Sequence, residues 1–231
     1  MTQPDFKTHL KTLARDGVLR VAINTGNRAL VQQDSDILTG VSPALAQRLA
    51  GEINARMEPI IYNGAGKVFE DAGCNKWDIG FLAIDSMRAK KIAFTQPYIV
   101  IEATYAVRQD AALKDVADVD AAGVQVLTSI GSAYDMHLTK TLQNATLERS
   151  GTPPESFEEF RAGRCDAVAG VRASLEVAFA NSPNIRILSG VLTSVCQAMV
   201  LPDNTDTRIA ALDDFVARVN KDGFIKAAQG A

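Results

Sequence analysis

The chain has 231 residues, 47% of them apolar and 22% charged, with a net charge of −3. That is enough apolar content to bury one large core or two small ones, which excludes a disordered chain. The 24 Lys and Arg are scattered among 27 Asp and Glu, so no basic stripe of the kind nucleic acid requires is present and no nucleic-acid partner is expected.

Residues 1–16 are polar and weakly amphipathic, with Phe6, Leu10 and Leu13 at helical spacing, and carry no apolar signal-peptide core or small-residue cleavage site. Thr2-Gln3-Pro4-Asp5 reads as a native start, which favours the cytoplasm. No stretch approaches the roughly 18 apolar residues of a membrane span, so membrane insertion is not expected. Residues 18–24 alternate as a strand and run into the loop Thr25-Gly26-Asn27. Ser42 reads as an N-cap with Pro43 at the first helical position, after which Leu45, Leu49 and Ile53 recur on one face. Residues 58–62 form the next strand, 67–72 a short helix, and 77–83 a nearly continuous apolar strand of the buried parallel kind. Strand and helix alternate, which predicts an α/β fold with a parallel sheet and right-handed crossovers.

Beyond Tyr98 a β-branched and aromatic run over 99–107 reads as a strand leaving the first lobe, and the Asp-rich stretch 108–120 as surface. A second βα series follows, with strands at 123–127, 145–148, 165–169 and 185–188 and helices from Ala133, over 155–162 and over 172–180. Residues 195–201 read as a return strand, and 205–222 as a closing helix whose Ile209, Leu212, Val216 and Val219 share a face, with Gly223 as its C-terminal cap. Two crossings, near Thr104 and near Val195, make a hinge between a lobe of residues 1–104 plus 195–231 and a lobe of residues 105–194, with a ligand cleft between them. Cys74, Cys165 and Cys196 are odd in number and widely separated, which suits packed thiols and not a metal or redox site. No cofactor is expected.

The stretch after the apolar strand 77–83 carries the main chemical signal. A basic residue just past the carboxyl end of such a strand points into the crevice where open α/β sheets bind ligands, and Arg88 stands there. The segment Arg88-Ala89-Lys90-Lys91-Ile92-Ala93-Phe94-Thr95-Gln96-Pro97-Tyr98 resembles the signature of the family 3 bacterial extracellular solute-binding proteins. Residues 17–22, 40–46, 131–135 and 162–168 resemble further segments of that family in the same order. The resemblance implies a two-lobed type II periplasmic-binding-protein fold, a polar amino-acid ligand, an ABC transporter permease as partner, and a periplasmic location if a signal peptide has been removed. A monomer is expected. It also implies that Arg88 holds a ligand carboxylate through a bidentate salt bridge, for which a planar guanidinium is suited.

The sequence departs from the family in three places, the first being a segment between Asp78 and Arg88 shorter than the family's, so that first-lobe contacts need not carry over. Asp85 stands where the family usually has a carboxylate-assisting Thr, and Ala169-Gly170-Val171-Arg172 lacks the acid that holds an α-ammonium. A ligand without an α-amino group, or one whose amine is held elsewhere, follows. Glu102 sits inside an apolar strand run, where an acid is exposed, paired or functional. At period two it shares a face with Thr104, and if that face looks into the cleft it binds a ligand amine or acts as an acid or base. Asn24, Asn27 and Lys67 lie after first-lobe strands. Gly64-Ala65-Gly66-Lys67 is not a phosphate loop, because Ile61 and Val68 stand where Gly and Ser or Thr are needed. Ser129, Ser132 and Tyr134 precede or open a second-lobe helix, whose N–H groups receive an anion or whose Ser132 simply caps it. His137 reads as a surface or packing residue.

The sequence therefore points to a two-lobed protein closing over a small carboxylate. A lyase resembling cyclohexadienyl dehydratase, with Glu102, Asp85 and Lys67 as acid and base groups, and a cytoplasmic ligand sensor are the alternatives on the same fold.

Overall fold

A computed structural model describes residues 6–229; the start 2–5 lies outside the described residues. One end of the molecule is built from α1 (Phe6–Lys11), β1 (Val18–Asn24), the hairpin β2 (Gln32–Asp34) and β3 (Ile37–Thr39), α2 (Val41–Glu52), β4 (Arg56–Tyr62), α3 (Ala65–Glu70) and β5 (Ile79–Ala83). A 3-10 turn, Arg88–Lys90, leads into β6 (Ala93–Arg108). The other end contains β7 (Gln125–Ser129), α4 (Ala133–Thr141), β8 (Thr146–Ser150), α5 (Pro153–Arg161), β9 (Ala167–Val171), α6 (Arg172–Phe179) and β10 (Ile185–Ile187). The chain returns through β11 (Thr193–Leu201) and closes with α7 (Ile209–Lys221) and α8 (Phe224–Gln229).

The main sheet runs β4-β1-β5-β11-β6-β9-β7-β8, with β10 added alongside β6. Its two ends are parallel, β1 pairing with β4 and β5, and β7 with β8 and β9. Its middle is antiparallel and belongs to both ends. The early part of β6 pairs with β11 from Ala93↔Leu201 to Ala103↔Thr193, and its late part with β9 from Ala103↔Val171 to Val107↔Ala167. The long run beyond Tyr98 is thus a bridge strand, and the 16-residue β6 begins earlier than the apolar run suggested.

Helices cover both faces at each end. On the first end Val21 and Ile23 pack with Leu45 and Leu49 of α2 and Leu212, Phe215, Val216 and Val219 of α7. Ala22 turns to the opposite face, beside Trp77, Leu82 and Val200. On the second end Val126, Ala167 and Leu138 form one layer and Leu127, Val168, Phe157 and Phe160 the other. Each fully buried Val, Leu, Ile or Phe among them stabilises by about 1.5–3 kcal/mol, and the alternation along β1 and β7 is why both faces need a helical cover.

Several boundaries differ from the sequence reading for local reasons. Helix α2 is capped by Gly40, not Ser42. Gly40 takes φ +101°, and a Cβ there would meet the Leu30 carbonyl oxygen at 2.5 Å, so the start is fixed by backbone conformation while the Ser42 hydroxyl bonds Tyr98 Oη at 3.0 Å. Helix α5 begins before Glu155, because Thr152 and Glu155 form a capping box with Pro153 at the first helical position. Gly223 at φ +80° ends α7, but a further short helix follows it.

Candidate ligand-binding site

A cleft between the two ends encloses about 730 Å³, counting the space open to solvent at its mouth. That size suits a small organic ligand. Its walls come from the carboxyl ends of the parallel strands and the helix starts that follow them: Asn24 at the end of β1 with Gly26 and Asn27 just after it, Ala83 at the end of β5, Ser129 at the end of β7, and Val171 at the end of β9. This is where a parallel sheet exposes loops and the positive ends of helices. Ser42 of α2, Gly64 and Ala65 at the start of α3, Ser132 and Ala133 of α4, Pro153 of α5 and Ser174 of α6 all line it.

Arg88 is the one charged residue in this lining among the described residues. It is 2% exposed. Its guanidinium donates to the Ala83 carbonyl at 3.0 Å and, across the cleft, to the Gly131 carbonyl at 2.6 Å. Two carbonyls do not neutralise a cation, and no salt bridge to Arg88 is present among the described residues. Burial lowers its pKa to about 10, with the charge of Asp85 pulling the other way, so it remains a cation at neutral pH. A buried cation with unused N–H groups in the wall of a cavity has the chemistry to receive an anion.

Asp85 serves the fold around it. Its Oδ1 accepts from the N–H groups of Met87 at 2.8 Å and Arg88 at 3.2 Å, which turns the chain so that Arg88 enters the cleft. Its Oδ2 meets Lys140 of α4 at 3.2 Å. Burial disfavours its charge, yet those N–H groups and the Lys140 ammonium together hold its carboxyl below the ordinary range. Asp85 is not among the cavity residues.

On the second end Ser129 Oγ and Tyr134 Oη lie 2.6 Å apart, and burial pushes the Tyr134 phenol up to about 12, against the pull of its serine neighbours. Ser132 caps α4 by accepting from Asp135 N at 3.0 Å while lining the cleft. Asp135 in turn accepts from Gly131 N at 2.9 Å and pairs with Arg149 at 2.9 Å, which fixes the loop that faces Arg88. The two ends touch through glycine. Gly66 in α3 faces Ile130 and Gly131, and a Cβ built on Gly131 would lie 3.0 Å from Gly66 Cα.

The structure therefore brings together Arg88, Asn24, Asn27, Ser129, Ser132 and Tyr134 of the sequence-derived candidates. It does not bring Glu102 or Lys67 to the cleft. Glu102 has its side chain half exposed and pairs with Arg172 at 3.2 Å. The face it shares with Thr104 looks onto the turn at 188–190, where the Thr104 hydroxyl donates to the Leu188 and Gly190 carbonyls. Lys67 is exposed on α3. His137, in α4, is likewise absent from the cavity lining. Among the cavity residues that sequence reasoning missed are Gln197 of β11, Ser174, Phe157 and Phe81. Gln197 had a legible signal, since a polar residue inside the apolar run of β11 needs a reason to be there.

A buried arginine at the carboxyl ends of two parallel half-sheets, joined by antiparallel bridge strands, is the architecture implied by the sequence motifs. The profile of the bacterial extracellular solute-binding proteins, family 3, matches residues 19–230. The chain belongs to that family. It is 24% identical over 203 residues to the L-cystine-binding protein TcyJ of Escherichia coli, covering 85% of this chain and 74% of that protein. In fold the family member is similar to an amino-acid ABC transporter substrate-binding protein from Streptococcus pneumoniae bound to L-arginine, with a TM-score of 0.82 at 17% identity over 96% of both chains. It is also similar to the ancestral amino-acid-binding protein AncCDT-1, a precursor of cyclohexadienyl dehydratase, with a TM-score of 0.77 at 20% identity over 95% of this chain and 96% of that one. Among the described residues no helix is long and apolar enough to cross a membrane.

Proposed function

We propose that this family member is the substrate-binding component of an ABC-type transporter and closes around a small carboxylate of amino-acid size, anchored by Arg88. The observation that carries this reading is the Arg88 guanidinium: buried, cationic, without a salt-bridge partner among the described residues, and facing a cavity of ligand size. The ligands of the similar proteins, cystine and arginine, are amino acids, in keeping with that size. In the same reading residues 1–104 with 195–231 form one closing lobe and 105–194 the other, with β6 and β11 as the hinge strands. A lyase draws support from the likeness to AncCDT-1, but Glu102, Asp85 and Lys67, its acid and base groups, lie outside the cavity lining.

Thermal shift of wild type and Arg88→Ala against amino acids and aromatic, dicarboxylic and des-amino acids tests the reading. A ligand at about 100 times its Kd adds about 2.7 kcal/mol of stability. Stabilisation by a carboxylate that is lost in Arg88→Ala is the expected result, and stabilisation indifferent to Arg88 refutes the anchor.

A further inference from the structure

The cleft has one formal charge and it is positive. Among the described residues no Asp or Glu lines it. Of the acids nearest to its walls in the chain, Glu176 is exposed on the outer side of α6 and outside the lining, and the others are already engaged. Asp85 holds Lys140 and two backbone N–H groups, Asp135 holds Arg149 and Gly131 N, Glu155 accepts from Thr152 N at 2.7 Å, and Glu102 pairs with Arg172. Recruiting any of these to a ligand would break a cap or an ion pair that shapes the site.

The helices add to the positive balance. α2, α4, α5 and α6 each place residues of their first turn in the lining, so their positive ends converge on it. α2 and α6 have no side-chain cap to accept from their first N–H groups. At the start of α6 the wall is Val171, and next to it stands Ser174, 2% exposed, whose Oγ has no hydrogen-bond partner among the described residues. From the other side of the cleft Asn27 contributes a buried Oδ1 that also has none. Both residues line the cavity, and an unpaired buried polar group beside a cleft is one that a ligand can satisfy.

An α-ammonium held there would be a desolvated cation with helix N-termini around it and, apart from the ligand's own carboxylate, which Arg88 engages, no counter-charge in the lining. A 2-hydroxyl matches both groups, accepting from Ser174 and donating to Asn27 Oδ1, whereas a 2-oxo group accepts from Ser174 alone. We infer that the cleft takes a small 2-hydroxy or 2-oxo carboxylate in preference to the corresponding amino acid, with Val171, Ser174 and Asn27 as the residues that set this choice. The inference rests on Arg88 holding the carboxylate.

The test is calorimetric titration of the full chain with matched sets that share a side chain: L-phenylalanine, L-3-phenyllactate and phenylpyruvate; L-leucine, L-2-hydroxyisocaproate and 2-oxoisocaproate; L-alanine, L-lactate and pyruvate. In at least one set the hydroxy or oxo acid binds about tenfold or more tighter than the amino acid, the loss expected when a charged group is buried unpaired. Val171→Asp places an acid in the wall and moves that ratio toward the amino acid by about tenfold or more. An amino acid that binds wild type as tightly as its hydroxy and oxo analogues in every set overturns the inference, as does silence of all the hydroxy and oxo acids. Arg88→Ala separates the two claims. A preference for the amino acid that depends on Arg88 overturns only the present inference, whereas binding that survives Arg88→Ala overturns the anchor itself.

Discussion

Replacing Gly66 by Ala separates closure of the cleft from folding. Gly66 lies inside α3, where alanine is the better helix former by up to about 1 kcal/mol. Within its own half nothing opposes the methyl group, since the nearest atoms to a Cβ placed there all belong to the opposite half: the Ile130 carbonyl oxygen at 3.1 Å, Gly131 Cα at 3.5 Å and the Ile130 carbonyl carbon at 3.9 Å. These are backbone atoms, so no side-chain rotation relieves the contact. The halves must separate by a few tenths of an ångström, and overpacking of this kind costs about 1–3 kcal/mol. The cost falls only on the state in which the halves meet. At about 1.4 kcal/mol per factor of ten, Kd for a carboxylate that stabilises wild type rises about 5- to 150-fold. The Tm without ligand stays the same or rises. Titration calorimetry reads the first quantity and a thermal melt the second. An unchanged Kd would show that the bound state does not bring Gly66 against Ile130 and Gly131. A Tm lowered by several degrees without ligand would show that Gly66 serves its own half and not closure.

Two further outcomes follow from the placement of the acids. Asp85→Ala removes the acceptor for two N–H groups and the Lys140 pair, and lowers stability by about 1 kcal/mol at neutral pH. Because the folded state holds the Asp85 carboxyl below its ordinary value near 4, that contribution is full above the unfolded pKa and disappears as pH falls through the folded one. Chemical denaturation of both proteins from pH 7 to pH 3 should therefore show the gap closing only at the acid end, and a gap independent of pH would refute the account. Glu102→Gln leaves the Kd for a carboxylate within about twofold and stability within about 0.5 kcal/mol, the range of surface changes; loss of binding by titration would place Glu102 at the ligand after all.

The sequence alone determined most of the elements and their order, because hydrophobic period is a local property, but not the short hairpin β2–β3 or helix α8, which are too brief to show a period. The alternation along Val18–Asn24, the apolar run ending at Ala83 and the single apolar face of Ile209–Lys221 are each written within one segment. Arg88 was legible for the same reason: a basic residue directly past a buried strand has a position set by that strand. Asn24, Asn27, Ser129 and Ser132 follow, since loops after parallel strands face one edge of the sheet. The tertiary structure decided what those segments face. A strand alternates two faces, and sequence cannot say which one meets the cleft; the same polar-in-apolar signal marks Glu102 and Gln197, yet pairing of β6 between β11 and β9 leaves Glu102 beside Arg172, while β11 turns Gln197 into the cavity. Asp85 stands three residues from Arg88, and only the folded turn shows that it orients the arginine through backbone N–H groups and does not share its cavity. Contacts between distant segments, such as Arg88 with Gly131 and Gly66 with Ile130, depend on how two half-sheets are hinged, and no local pattern encodes that distance.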